Sequence, residues 1–428
     1  MKKKILFFGE GVTLAHIVRP LELAARLDSD LYECVFACDP RYRELVLSHG
    51  ISHTPVDSIS PEAFLERAYR TKPVYTLQEL LGYVRADLAA EKEHRPDMVV
   101  GDFRQSLAVA AELSNIPCVT LSNAHWCPTA DLRRPVPEHP LVKLMGVRAA
   151  ECLSGLVQPL FWRLLRKPFN QMREKYGFPA AGSIQEIFTA GTETLYLDIP
   201  ELYNIQMLPE HHFFAGPLNW HTKLGLPGWW DELSHSRPVI FVTPGSSGDF
   251  GAAEVVVQAL KNMPVEVIFA TAGRSVPRDI SGNIHTCTMI DAAKACRRSD
   301  LVICNGGSPM VYQALTHGSP VLGIPFNIHQ YYVMAPLEKT RAGKHIRSGQ
   351  VHSADIRNTV NDMLGNPDYI LNAQFLAERI AASDPVEVFN RIAARYSGKK
   401  WREDMSKRQN NITPLHAANI MRNAAANF

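Results

Sequence analysis

Short apolar runs recur along the chain, and the stretches between them return an apolar residue every three or four positions. Lys3 to Phe8, Glu33 to Cys38, Met98 to Gly101, Cys118 to Ser122, Leu195 to Asp198 and Phe213 to Ala215 have the length and composition of strands. Helical periodicity fills His16 to Leu27 after the first run and about Gln105 to Ser114 after the third. The alternation restarts with Val239 to Val242, Val265 to Ala270, Leu301 to Cys304 and Val321 to Ile324. Strands spaced by helices return across one face of a sheet, which makes them parallel. Because the pattern occurs twice, it predicts an α/β chain of two Rossmann-like, doubly wound parallel-sheet domains facing a central cleft. Periodicity fades through the proline-containing stretch from Pro217 to Pro238. The expected division is therefore a first domain over 1–217, a linker over 218–237 and a second domain over 238–385. A C-terminal helix and extension over 386–428 is expected to pack back or to be mobile.

Within the second domain, residues 301 to 330 carry the clearest chemistry. An apolar strand (Leu301 to Cys304) meets a glycine turn, Asn305-Gly306-Gly307, and then a helix from about Ser308 to Thr316. A strand that turns on glycine into a helix N-terminus gathers backbone N–H groups and a positive dipole end, which suits a phosphate. A second strand (Pro320 to Ile324) is followed by the polar pair His329-Gln330, placed to touch whatever the phosphate carries.

Composition narrows the setting. With 428 residues, 46% hydrophobic and 21% charged, the chain suits two soluble α/β domains. Its net charge of +2 gives no reason to expect nucleic acid. No apolar run reaches the roughly 18–20 residues of a membrane span. The opening Met1 to Gly9 reads as a first strand and not as a signal peptide, since Glu10 ends its apolar run. Eight scattered cysteines without C-x-x-C spacing read as reduced core residues of a cytoplasmic protein without a zinc site. Asp28-Ser29-Asp30 follows a helix and not a strand, which makes it a polar loop; no metal is expected. Residues 141 to 176 interleave Leu156, Leu160, Phe161, Trp162, Leu164 and Leu165 with Arg163, Arg166 and Lys167. That pattern predicts a helical pair capping the first domain with its basic residues outward. It also suits an acceptor-binding helix or a weak membrane-surface contact.

Four motifs in order give the chain a resemblance. Gly9-Glu-Gly11-Val-Thr13-Leu-Ala-His16 is a glycine loop ending in a histidine, and Arg95 to Phe103 is a strand ending in Asp102. Val242-Thr-Pro-Gly245-Ser246-Ser247-Gly is a second glycine loop, followed by the 301–330 stretch. Together, over about residues 3 to 395, they resemble the nucleotide-sugar-dependent glycosyltransferases of the GT-B fold, of the bacterial natural-product and plant UDP-glycosyltransferase type. The resemblance implies an inverting, metal-independent transfer from a UDP- or dTDP-sugar to a small hydroxylated acceptor held by the first domain, with no further cofactor. It implies His16 as general base and Asp102 as the group that holds its far ring nitrogen. An imidazole suits the removal of a hydroxyl proton near neutral pH. Gly11 and Thr13 fall in the acceptor loop. Gly245, Ser246, Ser247, Met289, Ile290, Asn305, Gly306, Gly307, Ser308, His329 and Gln330 fall on the donor side. Local structure offers plainer roles for two of these residues: a helix-start backbone bond for His16 and a helix N-cap for Asp102.

The chain departs from the family signature at four places. Asn305 stands where a histidine is usual, and Met310 where a serine or threonine is usual. The base-lining aromatic-x-proline reads Met289-Ile290-Asp291, and His329 replaces an acidic residue. A neutral histidine both donates and accepts hydrogen bonds where a carboxylate only accepts. Two other functions on this fold stay open at this stage: a catalytically degenerate binding partner, and a sugar-nucleotide epimerase.

Overall fold

A computed structural model describes residues 2–396, apart from 71, 131–134, 137, 139–141, 143, 144, 221–223, 246–249 and 276–279. The strands form where apolar runs can be buried on both faces. In β1 (Lys3–Gly9), Ile5, Leu6, Phe7 and Phe8 are wholly buried. Successive side chains of a strand point to opposite faces, so such a strand needs a layer on each side. Around it lie β2 (Tyr32–Cys38), β3 (Ser52–Pro55), β4 (Met98–Asp102), β5 (Cys118–Ser122), β6 (Glu193–Tyr196) and β7 (His212–Phe214). Their order is β3-β2-β1-β4-β5-β6-β7, with neighbours parallel.

The second sheet holds β8 (Val239–Thr243), β9 (Glu266–Ala270), β10 (Ile284–Cys287), β11 (Leu301–Cys304), β12 (Val321–Gly323) and β13 (Gly343–His345). Its order, β10-β9-β8-β11-β12-β13, is also parallel. The two sheets share one winding. In each, the order reverses beside the first strand, between β1 and β4 and again between β8 and β11. Side loops diverge at such a point and leave a crevice at the strand ends.

Helices cover the first sheet as α1 (Ala15–Arg26), α2 (Arg43–Ser48), α3 (Pro61–Tyr69), α4 (Leu77–His94), α5 (Leu107–Ser114), α6 (Val147–Lys175) and α7 (Ile184–Phe188). The rest of the chain adds α8 (Phe250–Leu260), α9 (Ala292–Arg298), α10 (Ser308–Thr316), α11 (Ile328–Lys339), α12 (Ser353–Gly365), α13 (Pro367–Ala381) and α14 (Pro385–Arg395). Seven of these begin on a described side-chain cap. Thr76 and Glu79 form a reciprocal capping box on α4, and Asn327 and Gln330 form another on α11. After the second domain, α14 returns to the first: Phe389 packs on Phe7 at 6.4 Å, and Lys3 Nζ donates to the Ala393 carbonyl at 2.8 Å.

In the helical pair expected over 141–176, Val142 and Met145 are helical before a break at Gly146, and 147–175 form one 29-residue helix. Pro159 and Pro168 lie inside it and remove single backbone bonds without ending it. Asp102 is the last residue of β4, while α5 begins after Ser106, so Asp102 is not a helix N-cap.

Candidate active site

Both reversal points carry chemistry. Gly9 pairs with Asp102 where β1 meets β4, and Thr243 pairs with Cys304 where β8 meets β11. The loop after β1 leads into α1, placing His16 in that helix's first turn. His16 Nδ1 lies 2.8 Å from Asp102 Oδ1. A carboxylate only accepts, so Nδ1 carries the proton and Nε2 is left as the ring's acceptor. Phe103 stacks on the imidazole at 4.5 Å, and its backbone takes φ +62°, a left-handed conformation costly for a bulky residue. A third side chain, Arg19, completes the group. Its Nε donates to Asp102 Oδ2 at 2.8 Å and its Nη2 to Oδ1 at 2.7 Å.

Burial and charge set the protonation states. Asp102 is 1% exposed, and burial alone would raise its pKa; the charges and hydrogen bonds of Arg19 and His16 outweigh that and lower it. Burial lowers the pKa of His16, Asp102 opposes this, and Arg19 reinforces it. The imidazole is therefore held neutral, the form a base needs. Beneath the site, Arg104 joins the loops after β1 and β4 through buried bonds to Glu10 at 3.0 Å and Asp87 at 2.8 Å. Its guanidinium also sits over the Tyr83 ring at 4.1 Å.

On the second domain, the turn after β11 has the form expected for anion binding. Gly306 takes φ +75°, and a Cβ there would sit 2.7 Å from Met334 Cγ, so glycine is required. The Asn305 side-chain oxygen accepts from Gly307 N at 3.0 Å, which shapes the turn. Asn305, Gly307 and Ser308 line the central cavity, and Gly245 faces them from the loop after β8. Gly306 lies behind this wall, and Ser246 and Ser247 fall outside the described residues. Met289 and Ile290 also reach the cavity, Met289 half exposed and Ile290 buried. Gly11 is not on the cavity wall; its N–H is bonded to Ser58 Oγ at 3.0 Å, whereas Thr13 is on the wall.

The pair His329-Gln330 opens α11 at the same cavity. A glutamine side chain carries both a donor and an acceptor, and Gln330 was placed to touch the donor's sugar. Its Oε1 instead accepts from Phe326 N at 2.8 Å and Asn327 N at 3.3 Å, because the helix needs a capping box. Its amide nitrogen remains as a donor. His329 Nδ1 lies 3.0 Å from His125 Nε2, a partner that sequence reading missed. Burial, with the nearby Arg19 and His16, pushes the His329 pKa down to about 3; burial and His329 push that of His125 well down.

The cavity between the domains measures about 800 Å³. His16, Asn305, Gly307, Ser308, His329 and Gln330 all line it. The first-domain wall is apolar, built from Phe64, Trp126, Phe161, Trp162, Leu165 and Phe188. Helix α6 is thus a cavity wall, and not merely the cap expected of it. The buried Phe169 and Met172 anchor its C-terminal part. Residues missed from sequence are Arg19, Asn123, His125, Asp198 and Tyr312. Only Arg19 left a signal: it stands three residues after His16, on the same helix face. Asp28-Ser29-Asp30 is a turn in which Asp28 Oδ1 accepts from Asp30 N at 2.8 Å, as its polar-loop reading expects. Among the described residues, no helix is long and apolar enough to cross a membrane.

Comparison with known proteins follows the same division. Residues 239–384 match the glycosyltransferase family 28 C-terminal domain. A PGL/p-HBAD biosynthesis glycosyltransferase of Mycobacterium tuberculosis is 39% identical over 378 residues, covering 88% of each chain. A PGL/p-HBAD biosynthesis rhamnosyltransferase of Mycobacterium bovis is 38% identical over 406 residues, covering 94% of this chain and 90% of that one. Among solved structures, the spinosyn rhamnosyltransferase SpnG complexed with thymidine diphosphate superposes with a TM-score of 0.67 at 16% identity, over 91% of this chain and all of that one. The chain belongs to the family of these mycobacterial enzymes, and it is a nucleotide-sugar glycosyltransferase of the GT-B fold.

Proposed function

We propose that this glycosyltransferase inverts the anomeric centre, needs no metal, and moves a sugar from a dTDP- or UDP-sugar to a hydroxyl on an apolar small molecule. One observation carries the reading: the His16–Asp102 pair at 2.8 Å and the Asn305–Ser308 turn line the same cavity. His16 removes the acceptor proton through Nε2 as the glycosidic bond forms. Asp102 keeps the proton on Nδ1 and stabilises the imidazolium. Backbone N–H groups and the dipole of α10 meet the charge growing on the departing diphosphate. The direct displacement by a hydroxyl, with one base and no protein nucleophile, inverts the configuration.

The thymidine diphosphate bound by one structural neighbour and the rhamnosyltransferase name of one relative favour a dTDP-deoxysugar among the donors. The apolar wall favours an acceptor whose hydroxyl sits on a hydrophobic body. On the outer face of α6, exposed Leu160 and Leu164 stand beside Arg163 and Lys167, which supports a weak contact with an anionic lipid surface.

The test incubates the full chain with a panel of sugar nucleotides and apolar hydroxylated acceptors, with and without EDTA. The expected result is acceptor-dependent nucleoside diphosphate release, an inverted anomeric configuration by NMR, and no effect of chelator. Retained configuration, or EDTA loss restored by Mg²⁺ or Mn²⁺, contradicts the mechanism. Interconversion of sugars without transfer points to an epimerase, and binding without release to a degenerate partner.

A further inference from the structure

The two halves of the proposed reaction sit on different domains, with the base on the first and the diphosphate site on the second. Transfer needs the attacking oxygen and the anomeric carbon about 3–3.5 Å apart, so the domains must be held in register. Asn123, just past the end of β5 and 2% exposed, lies on a bonded path between the two sites. Its Oδ1 accepts from Arg19 Nη1 at 2.8 Å. Its Nδ2 donates to Ser308 Oγ at 3.1 Å and to Asp198 Oδ2 at 3.1 Å. The amide cannot be turned round: guanidinium only donates and carboxylate only accepts.

The path therefore runs from His16 through Asp102, Arg19 and Asn123 to Ser308, the first residue of α10. A parallel branch leaves Asn123 through Asp198, which accepts from Tyr312 OH at 2.8 Å, also on α10. Ala124 N donates to the same carboxylate at 2.6 Å. Asn123, Asp198, Ser308 and Tyr312 are all buried, so water has little room to replace a lost bond.

We infer that Asn123 is a positioning residue that holds the general base in register with the donor-binding helix across the domain boundary. It acts through Arg19 on one side and α10 on the other. The inference rests on the base role proposed for His16, and the experiment separates the two.

Turnover is measured for wild type, Asn123→Ala, His16→Ala and the double variant, with dTDP and UDP binding followed by calorimetry. Asn123→Ala is expected to lower kcat by roughly 10²-fold, the cost of about 1 Å of misplacement, while nucleotide binding stays within about twofold. In the His16→Ala background the same change is expected to be nearly silent, because the group it positions is gone. An equal loss in both backgrounds shows a merely structural role and overturns the inference. So does an unchanged kcat in Asn123→Ala when His16→Ala is impaired. An unimpaired His16→Ala overturns the base role, and this inference with it. If Asn123→Ala does not fold, Tyr312→Phe cuts the parallel branch alone. It is expected to lower kcat only where His16 is present, and an equal effect in both backgrounds counts against the inference.

Discussion

Arg19 grips Asp102 through two hydrogen bonds, Nε to Oδ2 at 2.8 Å and Nη2 to Oδ1 at 2.7 Å, on the carboxylate that also holds His16. A bidentate guanidinium keeps a buried carboxylate ionised and fixes its plane. The same cation sits 3.3 Å from His16 Nδ1 and opposes protonation of the ring. Burial first and Arg19 in addition thus hold the histidine neutral, while Asp102 orients it.

His16→Ala is expected to lower turnover by roughly 10²–10⁴-fold with little change in donor binding. Steady-state kinetics at saturating substrate check this. A loss smaller than about fivefold would remove His16 from the role of base.

Arg19→Gln is expected to move the acid limb of the kcat/KM profile to higher pH. As the proposed base His16 would work deprotonated, so activity is expected to fall as pH drops through its pKa. In the intact site that pKa lies below its ordinary value, through burial first and Arg19 in addition. Removing the cation lifts it and brings the loss on at a higher pH. An acid limb that stays in place, or moves down, shows that Arg19 does not govern His16.

His329→Asp is expected to shift donor preference toward a glucose-type sugar, since a carboxylate strengthens a bond donated by a hydroxyl. Gln330→Ala is expected to weaken transfer from every donor by roughly 1–3 kcal/mol. The measurement is kcat/KM for both variants across UDP-glucose, UDP-N-acetylglucosamine, UDP-glucuronate and dTDP-sugars. An unchanged ranking in His329→Asp means that this side chain does not face the sugar.

Folding stability is expected to decline as pH falls below about 6.5, the pKa of an unfolded histidine. The folded-state pKa of His329 is about 3, lowered by burial first and then by the nearby charges. Between these two values the unfolded chain binds a proton that the native state refuses, so acid favours unfolding. His125 is lowered as well, by burial and by His329. Urea midpoints between pH 7 and 4.5 test this, and His125→Phe, which keeps the packing on Tyr332, should flatten the decline. An equally steep decline in that variant places the titrating group elsewhere.

The parallel sheets were legible because their strands are buried on both faces, which leaves continuous apolar runs such as Ile5 to Phe8 and Leu301 to Cys304. β3 was missed for the opposite reason: Ser-His-Thr-Pro at a sheet edge buries little and reads as a loop. α3 and α4 carried readable caps at Ser60 and Thr76, signals present in the sequence and passed over. Long-range polar partners had no such signal. His125 and His329 are separated by 204 positions, and Asn123 and Ser308 by 185.

By itself the sequence determined which segments become buried strands, where the glycine turns lie, and that a histidine follows one and an aspartate ends a strand. Those properties are local: apolar periodicity, backbone freedom at glycine, and the preference of a helix start for particular side chains. Tertiary structure alone decided that Arg19 and His16 share one carboxylate, that the Gln330 oxygen caps a helix, that α6 walls the cavity, and that Asn123 joins the two domains. Each of these depends on which groups are brought within about 3 Å after burial has removed water as the alternative partner. A buried polar group must find its partner within the fold, and no spacing along the chain records which partner that is.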